Sequence, residues 1–445
     1  ATAPAVPARG PVPAILGPMR LSEIFERLVD RDVSVGFRAY DGSEAGPADA
    51  QTVVEVRSPQ ALRYIATAPG ELGLARAYVT GAVDVRGELY TAITRLLAHR
   101  SDVPGPAELL RWLRALGPST LRRPPVPAEE LPPAWRRRLR RHSRARDAAS
   151  IAHHYDISNE FYELVLGPSM TYSCAVFPTE DSSLEAAQAE KIDLICRKLD
   201  LRPGQRLLDV GAGWGALVRH AAEHYGVRAL GVTLSARQVA WAKRAIAEDG
   251  LGDRAEVRHL DYRDVEETGF DAISSVGTME HIGSAELPGH FSALAGKLRP
   301  EGRMLNHTIT RPSNRERNSP GPFIDRYIFP DGELQGPATV LAAMHDNGFE
   351  LRHSENLREH YAMTLREWGR NLERNWHRAV AEVGERRARA WRLYMTLSRV
   401  AFETNRIQIH QFLGVRPDRD GRSGMPLRPG WERRDDAREV VGAHA

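Results

Sequence analysis

Two groups of residues in this 445-residue chain have the types and spacing to do chemistry. The first is QRLLDVGAGWGA, Gln205 to Ala216. An apolar run there enters a turn with glycine at 211, 213 and 215, and a helical pattern follows. Glycines let the backbone turn sharply and let a ligand come close where a Cβ would block it. The helix start adds free N–H groups that face the ligand. The second group is scattered in sequence. Thr233, Asp261, Glu280 and His307 each fall at or just past the end of a strand-like run. A hydroxyl, two carboxylates and an imidazole converging at one sheet edge suit ligand binding and proton transfer.

The ligand class follows from spacing. A dinucleotide turn reads G-x-G-x-x-G, with an acid about 20 residues on. Here the spacing is G-x-G-x-G, and GVTLS at Gly231 to Ser235 carries no acid. The lysine of a phosphate-binding P-loop is also missing. The D-x-G-x-G-x-G order resembles the nucleoside-binding turn of class I methyltransferases.

The elements that must position these residues alternate. Adjacent Leu207 and Leu208 predict a strand covered on both faces, as in a parallel sheet. Further strands are expected at Val227–Thr233, Ala255–Asp261, Phe270–Gly277, Gly302–Thr310 and Phe349–Glu355. Helices are expected at about Asn159–Leu166, Ser183–Leu199, Trp214–Tyr225, Ser235–Glu248, Gly336–Asn347, Tyr361–Val383 and Glu385–Asn405. Such alternation implies an α/β, doubly wound sheet. The segment RPSNRERNSPGPFIDRYIFPDGEL between the fifth strand and the next helix is long enough for a lid or binding segment.

The rest of the chain divides by composition. Residues 1–20 read as a proline-rich flexible arm without the charged start and compact apolar core of a signal peptide. Residues 21–120 form a small α+β unit without a catalytic cluster, a lipid-handling or oligomerisation module. Residues 121–150 are a basic linker. Its PPAWRRRLRRHSRAR run, Arg136 to Arg146, suits docking to anionic lipid at about 1 kcal/mol per basic residue, against a plain solvated helix or a nucleic-acid patch. Residues 151–414 are the catalytic domain, and 415–445 a disordered tail. The net charge of +3 gives no global argument for nucleic acid. Two cysteines, Cys174 and Cys196, fit a reducing cytoplasm. No apolar run reaches the roughly 18 residues of a membrane span.

HYDISNEFYELVLG, TYSCAVF, EAAQAEKIDLICRKLDLRPG, LLDVGAGWGA, GVTLSARQ, VGTMEHIG, LNHTIT and YIFPDGEL together resemble the cyclopropane-fatty-acyl-phospholipid and mycolic acid cyclopropane synthases, over about Ile151 to Phe412. The long N-terminal extension points toward actinobacterial members that make a 10-methylene branch. The resemblance implies a class I S-adenosylmethionine methyltransferase, Rossmann-like, acting on the cis double bond of a phospholipid acyl chain. It implies cofactor contacts from Tyr172, Ser173, Gly211, Ala212, Gly213, Thr233, Leu234 and Gln238, with Tyr262 beside the adenine. It implies a bicarbonate ion held by Cys174, Glu280, His307, Ile309 and Tyr361, with His154 also in the active site. It places the protein in the cytoplasm, peripheral at the inner membrane face. A homo-oligomer is compatible with it, and a methylene product would call for a partner reductase.

Two departures stand out. Ala212 replaces the cysteine of the usual G-C-G-W-G, and a methyl group still fits. Gly414 follows Gln411-Phe412-Leu413, where relatives carry a cysteine once proposed as nucleophile, so that covalent role is closed to this chain. The competing expectations are a methyltransferase for a soluble small molecule, and a lipid-binding scaffold without catalysis.

Overall fold

The computed structural model describes residues 19–30, 32–100, 104–131, 146, 157–316 and 319–431. The chain divides into two compact units after Pro127.

In the first unit, helix α1 (Leu21–Leu28) precedes strands β1 (Gly36–Ala39), β2 (Glu44–Ala45) and β3 (Val53–Val56). Helices α2 (Pro59–Thr67) and α3 (Glu71–Val79), strand β4 (Val83–Arg86), and helices α4 (Leu89–Ala98) and α5 (Pro106–Leu116) follow. The sheet order is β2-β1-β3-β4. β1 and β3 run parallel, which puts the β2 hairpin strand on the outer edge. Phe25 stacks on Phe37 at 4.6 Å, joining α1 to the sheet.

The second unit is built on a seven-stranded sheet. Helices α6 (Asn159–Leu166) and α7 (Leu184–Leu199) lead into β5 (Arg206–Val210), α8 (Ala216–Tyr225), β6 (Arg228–Thr233), α9 (Ala236–Glu248), β7 (Ala255–His259) and β8 (Phe270–Val276). Then come α10 (Leu287–Lys297), β9 (Leu298–Thr310), α11 (Pro322–Tyr327), α12 (Pro337–His345) and β10 (Glu350–Asn356). Helices α13 (Arg358–Arg374), α14 (Trp376–Val383) and α15 (Glu385–Glu403) precede the last strand, β11 (Gln408–Val415). The sheet order is β10-β11-β9-β8-β5-β6-β7. Leu207 and Leu208 enter separate apolar clusters, one on each face of β5, as their adjacency requires.

The sheet departs from an all-parallel one at its β10 edge. β11 runs antiparallel to both β9 and β10 and fills the gap between them. The sequence reading assigns no strand there. RIQIHQFLGV mixes histidine and glutamine with apolar residues, so it shows no clean alternation, yet His410 and Gln411 are buried. The expected helix Tyr361–Val383 is two helices, α13 and α14, parted at Asn375. The Asn375 side chain donates to the carbonyls of Leu164 and Asn371 and so takes up groups a helix break leaves open. The helix expected from Trp214 starts at Ala216, because Gly215 turns left-handed at φ +80°. β9 begins at Leu298 rather than Gly302.

The tail boundary also moves. β11 runs to Val415; the chain beyond it is largely exposed, but it is anchored again at Trp431. Arg197 Nε donates to the Trp431 carbonyl at 2.7 Å, and the indole lies 4.8 Å from His353. Residues 432–445 lie outside the described residues. In the basic linker Arg146 is buried, pairing bidentately with Asp331 at 2.6 and 2.8 Å. It is therefore not a free docking charge; Arg136 to Arg144 lie outside the described residues.

Candidate active site

A cavity of about 160 Å³ opens at the carboxyl ends of β5, β6 and β8. The glycine turn forms one wall. Gly211 N and Ala212 N both donate to the Val232 carbonyl, clamping the turn to β6. Gly211 has no room for a side chain. An added Cβ would stand 2.1 Å from Thr278 Oγ1, and that hydroxyl donates to the Val210 carbonyl. Gly213 differs: at φ +55° an added Cβ would meet no protein atom within 4 Å, only the cavity. These two glycines thus separate packing from ligand approach.

The opposite walls come from three places. The loop Tyr172–Ser173 is held from beneath by α7, whose Gln188 Nε2 donates to the carbonyls of Thr171 (3.3 Å) and Ser173 (2.9 Å). Lys191 Nζ donates to Ser173 Oγ at 2.9 Å. On β6, Thr233 Oγ1 donates to Gln238 Oε1 at 2.7 Å, and Ser235 caps α9 by accepting from Gln238 N. Leu234 and Tyr262 complete the rim. Tyr262 stands edge-on to His290 at 4.9 Å. The cavity therefore gathers all nine residues expected to hold the cofactor.

The cavity also takes in Asp209 and Trp214 of the D-x-G-x-G-x-G turn, Asp261 just past β7, and four residues the sequence reading did not single out for a ligand: Lys191, Arg263, Thr278 and His281. Asp209 accepts from Ser274 Oγ at 2.7 Å, and burial pushes its pKa up to about 6. Burial pulls Lys191 down to about 8, against the pull of nearby Cys174 and Asp209. A signal for Lys191 exists in the sequence. Gln188, Lys191 and Lys198 mark polar positions on the buried side of α7, where a helix stripe should be apolar.

A second cluster lies along β9. Glu280, in a 3-10 turn after β8, accepts from Ile309 N through Oε1 at 2.7 Å. Its Oε2 is buried and has no partner among the described residues. Burial raises its pKa. His307, two residues before Ile309 on the same strand, has Nδ1 3.2 Å from Gln411 Nε2. Its Nε2 is buried without a partner among the described residues. Burial, with Lys191, Lys198 and His410 nearby, holds its pKa well below the ordinary value, so the ring is neutral.

Backbone bonds tie this cluster to the opposite side. Leu357 N donates to Ile409 O, on β11 beside Ile309. The Leu357 carbonyl accepts from Tyr361 N and from Cys174 Sγ at 3.8 Å. The Cys174 thiol also faces the Ala175 carbonyl at 3.1 Å, and burial pushes its pKa up. It stays a thiol, with its hydrogen committed to carbonyls. Tyr361 packs on Phe402 at 4.6 Å. Tyr172 donates to Tyr394 at 3.1 Å and lies 5.3 Å from Trp368. Trp368 and Trp391 are core residues around it. The insertion expected as a lid reaches this region too. Phe329 stacks toward Tyr172 at 6.4 Å, and Glu333 N donates to the Glu280 carbonyl. His154 lies outside the described residues.

A glycine turn and helix start beyond a doubly wound sheet, with a cavity over its carboxyl edge, define a class I S-adenosylmethionine-dependent methyltransferase. The family can be narrowed by comparison. Residues 142–412 match the family model described as mycolic acid cyclopropane synthetase. A probable fatty acid methyltransferase of Mycobacterium tuberculosis is 51% identical over 404 residues, 89% of this chain and 94% of that protein. A tuberculostearic acid methyltransferase of the same organism is 32% identical, covering 84% of this chain and 86% of its own length. The crystal structure of a mycolic acid cyclopropane synthase complexed with SAH and CTAB superposes with a TM-score of 0.57 at 35% identity, over 60% of this chain and 97% of that one. The chain belongs to the mycolic acid cyclopropane synthetase family and is an S-adenosylmethionine-dependent methyltransferase.

Proposed function

We propose that this enzyme transfers a methyl group from S-adenosylmethionine to the cis double bond of an unsaturated phospholipid acyl chain. Loss of a proton then leaves a cyclopropane ring or, after a hydride shift, a 10-methylene branch. The observation that carries this reading is the pair of buried polar atoms without partners among the described residues, Glu280 Oε2 in the turn after β8 and His307 Nε2 on β9, the Glu280 carboxylate being tied to β9 by the Ile309 N–H. A buried polar atom without a partner is costly, and two of them in one cluster fit a small polar guest.

The fit to each group can be tested on the residues present. For the cofactor, the open face of Gly213 leaves room for close approach, and the Thr233–Gln238 pair presents polar atoms at the end of β6. Tyr172, Ser173, Gly211, Ala212, Gly213, Thr233, Leu234, Gln238 and Tyr262 would hold it. S-adenosylmethionine, when bound, supplies an electrophilic methyl group. For bicarbonate, one acceptor (Glu280 Oε2) and one ring nitrogen (His307 Nε2) suit an anion that carries a hydrogen on one oxygen and none on the others. Bicarbonate, when bound, supplies a base that resists alkylation. Glu280, His307, Ile309, Tyr361 and Cys174 would hold it, Cys174 through its place in the Leu357 network rather than as a nucleophile.

The chain's own part is to orient and to exclude water. An alkene is a weak nucleophile, so alignment and a dry site supply much of the rate. Tyr172, Trp368, Tyr361 and Phe402 pack on one another as a continuous aromatic row that starts at the cofactor cavity. The neutral His307 adds no charge to the site, and burial raises the pKa of Glu280 beside it. No helix of the described residues is long and apolar enough to cross a membrane. Phospholipid acyl chains are presented by a membrane, and the enzyme would meet them at its surface. We place the enzyme there as a peripheral protein.

The test is incubation with S-adenosylmethionine and oleoyl phospholipid vesicles, followed by proton NMR of the released acyl chains. Upfield ring protons or vinylidene protons are expected, and turnover should fall in bicarbonate-depleted buffer and return on adding bicarbonate. Unaltered acyl chains alongside methylation of a soluble acceptor would overturn the proposal.

A further inference from the structure

Behind His307 lies a hydrogen-bonded chain that nothing in the reaction itself calls for. Gln411 is the direct cross-strand partner of His307, on β11 opposite β9. Its Oε1 accepts from Lys198 Nζ at 2.7 Å, and its Nε2 is 3.2 Å from His307 Nδ1. Lys198, at the end of α7, is fully buried and also pairs with the half-exposed Glu355 on β10. We propose that Gln411 is a positioning residue: oriented by Lys198, its amide fixes the His307 imidazole with the hydrogen on Nε2, as a donor into the reaction site. This deepens the proposed function and rests on its view that His307 meets the guest anion.

The argument is one of donor and acceptor counting. The two ends of a glutamine amide look alike, so their assignment needs a chemical reason. Lys198 supplies it. An ammonium has three donors and no acceptor, so the amide atom facing it must be the oxygen. Burial pulls the Lys198 pKa down, and the paired Glu355 carboxylate pulls back toward the charged form. The other end of the amide is then NH2, which can only donate. A neutral imidazole has one donor nitrogen and one acceptor. Nδ1 must be the acceptor, and the hydrogen goes to Nε2. The opposite tautomer would set two N–H groups against each other in a site where Gln411 and His307 are each about 1% exposed. Nε2 is also the atom with no partner among the described residues.

A merely structural role would have Gln411 and Lys198 satisfy one another with no consequence for the ring. Two measurements separate the cases. The first is nitrogen-15 NMR of the His307 imidazole in the full-length protein without substrate. The wild type should show a single neutral tautomer protonated at Nε2. Gln411→Met, which cannot donate, and Lys198→Met, which releases the amide, should each give a mixture. The second is kinetics with vesicles. Both variants should lose at least tenfold in kcat, with the KM for S-adenosylmethionine unchanged and the bicarbonate concentration for half-activation raised at least fivefold. A wild-type ring protonated at Nδ1 overturns the proposal, as does a Gln411→Met protein that keeps the Nε2 tautomer and full kcat. Should Gln411→Met not fold, the wild-type spectrum decides alone. The two claims fail separately. An Nε2 tautomer in an enzyme that leaves acyl chains untouched sinks the proposed function and keeps this inference; methylated chains with an Nδ1 tautomer do the reverse.

Discussion

At Glu280 the two carboxyl oxygens have different fates: Oε1 is bound by Ile309 N and Oε2 has no partner. Glu280→Gln keeps the shape and the Oε1 contact. It puts a neutral donor where an acceptor stood. We expect kcat to fall roughly 100-fold or more, in the range general acid–base groups contribute. Calorimetric affinity for S-adenosylmethionine should stay within about twofold, since Glu280 does not line the cofactor cavity. The glycines give a second prediction. Gly211→Ala sets a Cβ against Thr278 Oγ1 and should destabilise the fold, seen as a lower melting midpoint. Gly213→Ala meets no protein atom. Beyond the modest cost of a left-handed alanine, it should act on cofactor affinity, weakening it at least tenfold by calorimetry. Similar loss of affinity in both variants without a stability difference would refute the division. The sequence alone placed all three glycines in a ligand turn but could not say which one faces the ligand. That depends on Thr278, 67 positions after Gly211, folding back beneath the turn.

Helix α7 carries the element-scale logic. Its start was legible from sequence, where Ser182 or Ser183 offers an N-cap before Glu185; in the structure Ser183 takes that place, accepting from Ala186 N. Its function was not legible, because it works through polar residues on the buried side. Gln188 holds two carbonyls of the 171–173 loop, Lys191 reaches Ser173, and Lys198 reaches Gln411. Gln188→Met should leave those carbonyls unpaired in a buried site. The cost is about 1–3 kcal/mol of stability for an unsatisfied group, readable in a urea titration. S-adenosylmethionine affinity should drop as Tyr172 and Ser173 lose their support. Unchanged stability and affinity would mean the loop is held by its aromatic contacts alone. The βα repeats were legible for the ordinary reason that buried parallel strands are apolar runs. β11 escaped because its buried polar residues serve the site: His410 bonds Thr310, and Gln411 bonds His307. The packing of Trp431 escaped because a lone aromatic in a charged, proline-bearing stretch gives no periodicity to read.

At the scale of the whole molecule, the cofactor site is built at the expense of stability, and the pH dependence should show it. Asp209 is fully buried beneath the cavity, and burial raises its pKa from 3.8 to about 6 against the opposing pulls of Ser274 and Lys191. The sign follows from linkage. A group whose folded pKa lies above its unfolded value gives stability that is whole below pH 3.8 and lost as pH rises through 6. The wild-type protein without cofactor therefore loses this contribution between about pH 4 and 6. Asp209→Asn keeps an oxygen for Ser274 Oγ and does not titrate. It should gain on the wild type as pH rises from 4 to 7, with a ceiling of ~3 kcal/mol for a shift of about two units. Without the Asp209 charge, Lys191 is less well compensated, which trims the gain toward pH 7. The same variant should bind S-adenosylmethionine less well, since an acid has left the cavity wall. Stability gained where binding is lost is the usual mark of a site held under strain by its fold. Urea titrations of both proteins at pH 5, 6 and 7 check the point. A difference that stays flat across that range would place the Asp209 carboxyl at its solvent pKa, and the electrostatic cost assigned to the cavity would have to lie elsewhere.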